Sequence, residues 1–160
     1  MISFQEAFHS YNKSPEDKCK IIFSGIFTFQ NRLQTACEKI QTELTIKQWL
    51  LLAIVSNTPE PQNLTNIGRI MGCSRQNIKK LALSLEEKSY INFIKGENNS
   101  LYIVLTEKFE KYSDQLAFRH SETLRLLFSK FNSKEINELF NLFYKLFLGL
   151  DEVEKFSEEL

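Results

Sequence analysis

The chain has 160 residues, of which 42% are hydrophobic and 25% are charged, and its 20 basic residues are balanced by 20 acidic ones. This composition is typical of one soluble globular domain. A net charge of zero excludes only partners that require a uniformly basic surface, since nucleic acids need positive charge on one face alone.

The cysteines and the apolar runs exclude several further classes of protein. The three cysteines Cys19, Cys37 and Cys73 are odd in number and have no CxxC spacing, which argues against a disulfide framework and a cysteine zinc site. The N-terminus lacks a signal peptide pattern, and the longest apolar run, residues 49–55, is too short to span a bilayer. We therefore expect a cytoplasmic protein with no membrane partner.

A long helix is the first element that the sequence predicts. Ser14 is a suitable N-cap, and Pro15 suits the first turn. One apolar face then recurs at helical spacing through Ile22, Ile26, Phe29, Leu33, Ala36, Cys37, Ile40 and Leu44. A second apolar set comprises Ile21, Phe23 and Phe27. Two faces predict packing on two sides, one of them against a partner subunit.

A short buried helix is predicted next. Thr45 and Gln48 have the spacing of a capping box, in which each side chain bonds the other residue's backbone N–H. The helix covers residues 49–55, and a proline-containing loop at residues 57–61 ends it.

Residues 63–105 predict a helix-turn-helix followed by a β-hairpin. Asn63 caps a short helix that carries Leu64, Ile67, Ile70 and Met71, and Gly72 supplies the positive φ of the turn. Ser74 begins a second helix, whose inward face comprises Ile78, Leu81, Ala82 and Leu85. Two strand-like runs, residues 90–95 and 101–105, flank turn-forming residues. This order is the outline of a winged-helix DNA-binding domain.

Two further helices follow the hairpin. One begins after Thr106 and carries Phe109, Tyr112, Leu116, Thr123 and Leu127; the last has a broad apolar stripe through Ile136, Phe140, Phe143, Phe147 and Leu150. The predicted fold class is mainly α with a small β-hairpin wing, as a winged helix-turn-helix flanked by long helices. Such an apolar terminal helix is rarely left exposed.

The outward face of the second motif helix carries the candidate base-reading residues. A recognition helix inserts its N-terminal half into the major groove, so its reading residues lie opposite the core face. These positions are Arg75, Gln76, Asn77, Lys79 and Lys80. Amides pair with adenine, and cations pair with guanine or phosphate. The competing interpretation is a solvated helix face without a partner.

Phosphate contacts and the wing complete the predicted interface. Arg69, Lys88 and Lys95 are candidate phosphate contacts, which add salt-sensitive affinity without sequence information. Ser74 is first a helix cap and second a phosphate contact. Asn98 and Asn99 at the wing tip are turn formers first and groove readers second.

The order of elements resembles the MarR family of bacterial transcriptional regulators. The matching stretches are Leu44-Thr45 with Gln48, residues 64–72, residues 73–78, residues 85–91 and Leu105-Thr106. The resemblance implies one domain over residues 1–160, with the winged helix at about 45–105 and dimerisation helices at about 14–44 and 106–157. It also implies a homodimer on a pseudo-palindromic operator, acting as a repressor.

The same resemblance implies an effector site for a small aromatic molecule. Its candidate lining residues are Phe29, Trp49, Phe109 and Tyr112, with ordinary core packing as the alternative for each. The wing departs from the family pattern, because Glu97 and Asn99 stand where an Asp and an Arg are usual. The usual glycine after the second motif helix is Ser89.

Two rival functions remain open at this point. The first is a winged-helix protein-interaction module without DNA binding, which the atypical wing favours. The second is a thiol-based redox sensor that uses Cys19, whose neighbouring lysines and helix N-terminus favour a thiolate.

No sequence motif points to catalysis. No GxSxG, P-loop or GxGxxG sequence occurs, and no nucleophile is paired with a base. His9 and His120 are far apart, with no ligand at metal-binding spacing. We therefore expect a protein that is not an enzyme and that has no metal or cofactor.

Overall fold

The computed structural model describes residue 6, residue 8, residue 10 and the ranges 14–41, 43–96 and 100–160. The chain divides into two compact units, Met1–Asp114 and Gln115–Leu160, and each is described by itself.

Helix α1 covers Pro15–Ile40 and begins where the sequence predicts. The Ser14 hydroxyl accepts a hydrogen bond from the Asp17 N–H at 3.1 Å. The predicted apolar face extends to Leu44, but the helix ends at Ile40 with Gln41 as its C-cap. Leu44 is nevertheless buried, because the bend that follows the helix turns its side chain into the core.

Within this unit the assignment of the α1 faces differs from the prediction. Ile21, from the second apolar set, is the buried residue of the helix. Ile22, Ile26 and Phe29, from the main set, are exposed. Periodicity identifies apolar faces but does not show which of them the same chain covers.

Helix α2 covers Ile46–Asn57, and its capping box is confirmed. Gln48 donates its N–H to the Thr45 hydroxyl at 3.2 Å and accepts the Thr45 N–H on its side-chain oxygen at 3.1 Å. Leu51 and Leu52 are completely buried, so this helix forms the centre of the core of the first unit.

The winged helix follows as β1 (Gln62–Asn63), α3 (Leu64–Met71), α4 (Arg75–Glu87), β2 (Ile91–Lys95) and β3 (Leu101–Leu105). The strands form an antiparallel sheet in the order β1-β3-β2. Ile91 pairs with Leu105, and Gln62 pairs with Ile103. The predicted hairpin is confirmed, whereas the two-residue strand β1 was not predicted.

Two helices complete the chain. Helix α5 covers Glu107–Leu127, and Phe109 and Tyr112 are buried in its first turns. Helix α6 covers Ser133–Glu158 and has a capping box between Asn132 and Glu135. The predicted fold class, mainly α with a small wing, is confirmed. None of the described helices combines the length and apolar character that crossing a membrane requires.

Candidate nucleic-acid interface

The turn between α3 and α4 is set by Gly72. This residue has a φ of 60° in the left-handed region, as the sequence predicts. The Gly72 N–H donates to the Arg69 carbonyl, and the Cys73 N–H donates to the Gly68 carbonyl at 2.8 Å. These two bonds form a Schellman motif, which satisfies the last carbonyls of α3 and redirects the chain into α4.

Gly68 allows the close approach of α3 to this turn. A Cβ at this position would lie 2.7 Å from the Cys73 carbonyl oxygen, a backbone atom that cannot rotate away. Gly68 is buried. The angle between the two helices therefore depends on the absence of a side chain at Gly68, which the sequence interpretation did not identify.

Helix α4 begins at its predicted cap. The Ser74 hydroxyl accepts the Asn77 N–H at 3.3 Å. Ile78, Ala82 and Leu85 are completely buried, as predicted for the inward face, whereas Leu81 is only partly buried. On α3, Leu64 and Ile67 are buried as predicted, but Ile70 is 58% exposed. It lies about 120° around the helix from Leu64 and about 160° from the buried Gly68, beyond the edge of the buried face.

The outward face of α4 is polar and accessible. All five candidate base-reading residues are exposed: Arg75, Gln76, Asn77, Lys79 and Lys80. Arg69 at the end of α3 is exposed as well. Within the described ranges, none of these four cations takes part in an ion pair. The face therefore presents unpaired positive charge and two amides from one rigid helix.

Lys88 differs from the other cations. Its Nζ donates to the Glu43 backbone carbonyl at 2.7 Å. In the structure this lysine connects the end of α4 to the segment between α1 and α2, a role that the phosphate-contact prediction did not include.

The base of the wing is fixed by backbone and ring contacts. The Gly96 N–H donates to the Ser100 carbonyl at 2.8 Å. The Tyr102 ring covers Gly96 so closely that a Cβ there would collide with it. Lys95 is exposed at this base. The predicted groove readers Asn98 and Asn99, together with Glu97, lie outside the described residues.

The comparisons with solved structures agree on one fold. A MarR/EmrR family transcriptional regulator from Acinetobacter sp. ADP1 matches 83% of this chain and 96% of its own, with a TM-score of 0.74 and 20% identity. Streptococcus pneumoniae FabT, solved in complex with DNA, matches 84% and 98% of the two chains, with a TM-score of 0.65 and 13% identity.

A third solved structure is PcaV from Streptomyces coelicolor with its natural ligand, which covers 74% of this chain and 88% of its own. Its TM-score is 0.62 and its identity 17%. The chain has the MarR-type fold. No protein-family model matches the sequence, and no curated protein sequence matches it either.

The end of α4 has a serine at the position where the resemblance implies a glycine. Ser89 has a φ of 62°. The Ser89 N–H donates to the Glu86 carbonyl at 2.7 Å, and the Tyr90 N–H donates to the Leu85 carbonyl at 2.9 Å. This is a second Schellman motif with a serine at the left-handed position. Ser89 therefore ends α4 in the left-handed conformation without a glycine.

The four candidate effector residues differ in their surroundings within this MarR-type fold. Phe29 is 55% exposed on α1, and Trp49 is half-buried on α2. Phe109 and Tyr112 are buried, and the Tyr112 ring packs edge-on against Tyr90 at 5.2 Å between centroids. An effector site formed by these residues stays a prediction.

Cys19 lies exposed in the first turns of α1. The neighbouring Lys20 places its Nζ 2.8 Å from the Glu16 carboxylate. That ammonium group is therefore paired with a carboxylate of its own helix. The redox-sensor alternative stays a hypothesis.

Proposed function

We propose that the chain is a MarR-family transcriptional regulator that binds double-stranded DNA sequence-specifically as a cytoplasmic homodimer. The observation that supports this proposal is the outward face of α4, where Arg75, Gln76, Asn77, Lys79 and Lys80 are exposed on a helix-turn-helix. A capped helix of 13 residues is long enough to enter a major groove with its first two turns.

The proposed chemistry divides these residues into two groups. Gln76 or Asn77 pairs with adenine, and Arg75 or Lys79 pairs with guanine, each through base edges in the major groove. Arg69, Lys80 and Lys95 contact phosphates, with Ser74 as an additional donor. Phosphate contacts set affinity and salt dependence, whereas base contacts set the sequence that is recognised.

The proposed homodimer is supported by helix α6. Not one of its residues is buried in the single chain. Its exposed apolar side chains include Leu139, Phe140, Phe143, Leu146, Phe147 and Leu150. Such a face is unfavourable in water, and a second copy offers an identical face that covers it in a two-fold contact.

Regulation follows from the same proposal. The chain acts as a repressor that occupies its operator until a small aromatic effector binds. The solved structure of PcaV with its natural ligand supports a ligand site on this fold. An effector releases DNA only if it binds the DNA-incompetent state more tightly than the competent one.

We call the exposed α4 residues Arg75, Gln76, Asn77, Lys79 and Lys80 the reading face. The test compares the binding of genomic DNA fragments by the wild type and by variants of this face. Wild type should select a discrete set of fragments. Arg75→Ala or Lys79→Ala should weaken binding to the selected sequence by about 1–3 kcal/mol if a base contact is lost.

A matched control for these substitutions is Lys145→Ala, which removes one exposed cation from α6 instead of α4. Its binding to the selected fragment should equal that of wild type. Equal binding of wild type to every fragment would instead favour the protein-interaction module.

A further inference from the structure

The residues before α2 and the first turn of α2 hold the C-terminal end of α4 through three long-range polar contacts. The Tyr90 hydroxyl donates to the Glu43 carboxylate. The Lys88 ammonium donates to the Glu43 backbone carbonyl at 2.7 Å. The Gln48 side-chain amide donates to the Ser84 hydroxyl at 3.1 Å. We call residues 43–48 the corner segment.

Thr106 and Lys108, at the start of α5, make further contacts with the same end of α4. Lys108 donates from its Nζ to the Lys88 carbonyl at 2.8 Å, and the same Nζ lies 4.6 Å from the centroid of the Tyr90 ring. The Thr106 hydroxyl donates to the Ser89 carbonyl at 2.7 Å. The end of the helix that carries the reading face is thus fixed by side chains that are not part of that face.

A second phenol lies close to the same carboxylate. The Tyr112 ring packs against Tyr90 at 5.2 Å, and the Tyr112 hydroxyl is buried without a hydrogen-bond partner among the described residues. Burial, and then the nearby charge of Glu43, raises the pKa of Tyr112. A buried hydroxyl without a partner is costly, so this group gains free energy in any arrangement that supplies an acceptor.

We propose that Glu43 is a positioning residue for the DNA-reading helix: its carboxylate holds the end of α4 through Tyr90, and Tyr112 competes for that carboxylate. When Glu43 bonds Tyr90, the end of α4 is fixed to the corner segment. When Glu43 bonds Tyr112, Tyr90 is released and the reading face loses its support. This inference rests on the proposed function, because it assigns the control of that same reading face.

The arrangement also connects α1 to the reading face. Helix α1 ends at Ile40, and Glu43 follows within three residues. A displacement of α1 therefore moves Glu43 relative to the two phenols. In the structure the carboxylate bonds Tyr90 and leaves the Tyr112 hydroxyl without a partner among the described residues, so it must move to bond Tyr112. A small displacement can then exchange one discrete arrangement for the other.

The first experiment compares three single hydroxyl deletions by fluorescence anisotropy on the selected operator. Tyr90→Phe should weaken operator binding by about fivefold to tenfold, because a hydrogen bond to a charged group is lost from the competent state. Tyr112→Phe should tighten binding or leave it within about twofold, because it removes the competitor. Ser56→Ala, which removes an exposed hydroxyl from α2 outside the reading face and outside α6, is the control and should bind as wild type does.

A double-variant cycle identifies the carboxylate as the shared partner. Glu43→Ala removes the carboxylate and keeps the backbone carbonyl that Lys88 contacts. Glu43→Ala should weaken operator binding about as much as Tyr90→Phe, and the combined variant should weaken it no further. Additive losses, or a loss for Tyr112→Phe as large as that for Tyr90→Phe, would overturn the proposal.

Amide hydrogen exchange tests the same contact without DNA. In the Tyr90→Phe variant, the backbone amides at positions 89 and 90 should exchange faster than in wild type. The backbone amide of the core residue Ile67 should keep its wild-type rate. If wild type selects no operator but this local effect occurs, the proposed function fails and the contact stands. If wild type selects an operator and exchange at Ser89 and Tyr90 is unchanged, the positioning role fails.

Discussion

Ser89 is a residue other than glycine at the left-handed position that ends α4. Its φ of 62° lies in the region that favours glycine, and two backbone hydrogen bonds hold it there. The serine side chain adds steric strain at this position without a hydrogen bond that requires it among the described residues. A stabilising substitution is therefore available next to the reading helix.

Ser89→Gly should raise the free energy of unfolding by about 1 kcal/mol, because glycine adopts a positive φ without steric cost. Urea denaturation monitored by circular dichroism measures the change. Ser89→Ala is the control, because alanine keeps the strain and should show no gain. A glycine variant no more stable than the alanine variant would contradict the assignment of strain to Ser89.

The structural roles of some single residues can be predicted from the sequence, and those of others cannot. Gly72 and the caps Ser14, Asn63 and Ser74 were predicted, because each acts on neighbours within a few residues. Gly68 was missed, because the atom that excludes its Cβ belongs to a turn five residues away whose geometry the sequence does not state.

Long-range side-chain bonds were missed for a related reason. The Tyr90–Glu43 bond joins residues 47 positions apart, and no local pattern marks either residue. Such contacts depend on the packing of α1, α2 and α4, so they become visible only once those elements are placed.

Among the elements, α6 is the one that a single chain does not explain. Its apolar residues match the predicted stripe, yet all of them are exposed in the described chain. Helices of this length gain most of their stability from packing an apolar face. The proposed homodimer supplies that packing and accounts for a helix that hydrophobic periodicity predicts to be buried.

Phe143→Glu should convert the dimer into a monomer, because a buried carboxylate without a partner is strongly unfavourable in an apolar contact. Light scattering at micromolar concentration measures the mass. Lys145→Glu is the matched control, since it places the same side chain about 200° around the helix, on the polar side. A dimeric Phe143→Glu variant, or a monomeric wild type, would contradict the proposed role of α6.

At the scale of the whole molecule, the proposed homodimer binds DNA through two reading faces related by a two-fold axis. One winged helix presents one reading face, whose contacts cover only part of an operator. A two-fold dimer presents two identical faces and therefore requires two related half-sites.

The most direct test of this claim is a footprint of the wild-type protein on DNA selected from genomic fragments. We predict two protected half-sites related by a two-fold axis, with centres about 10 base pairs apart. Protection should disappear for Arg75→Ala at the concentration that protects with wild type. Uniform protection of all sequences, or a single protected half-site, would contradict the account.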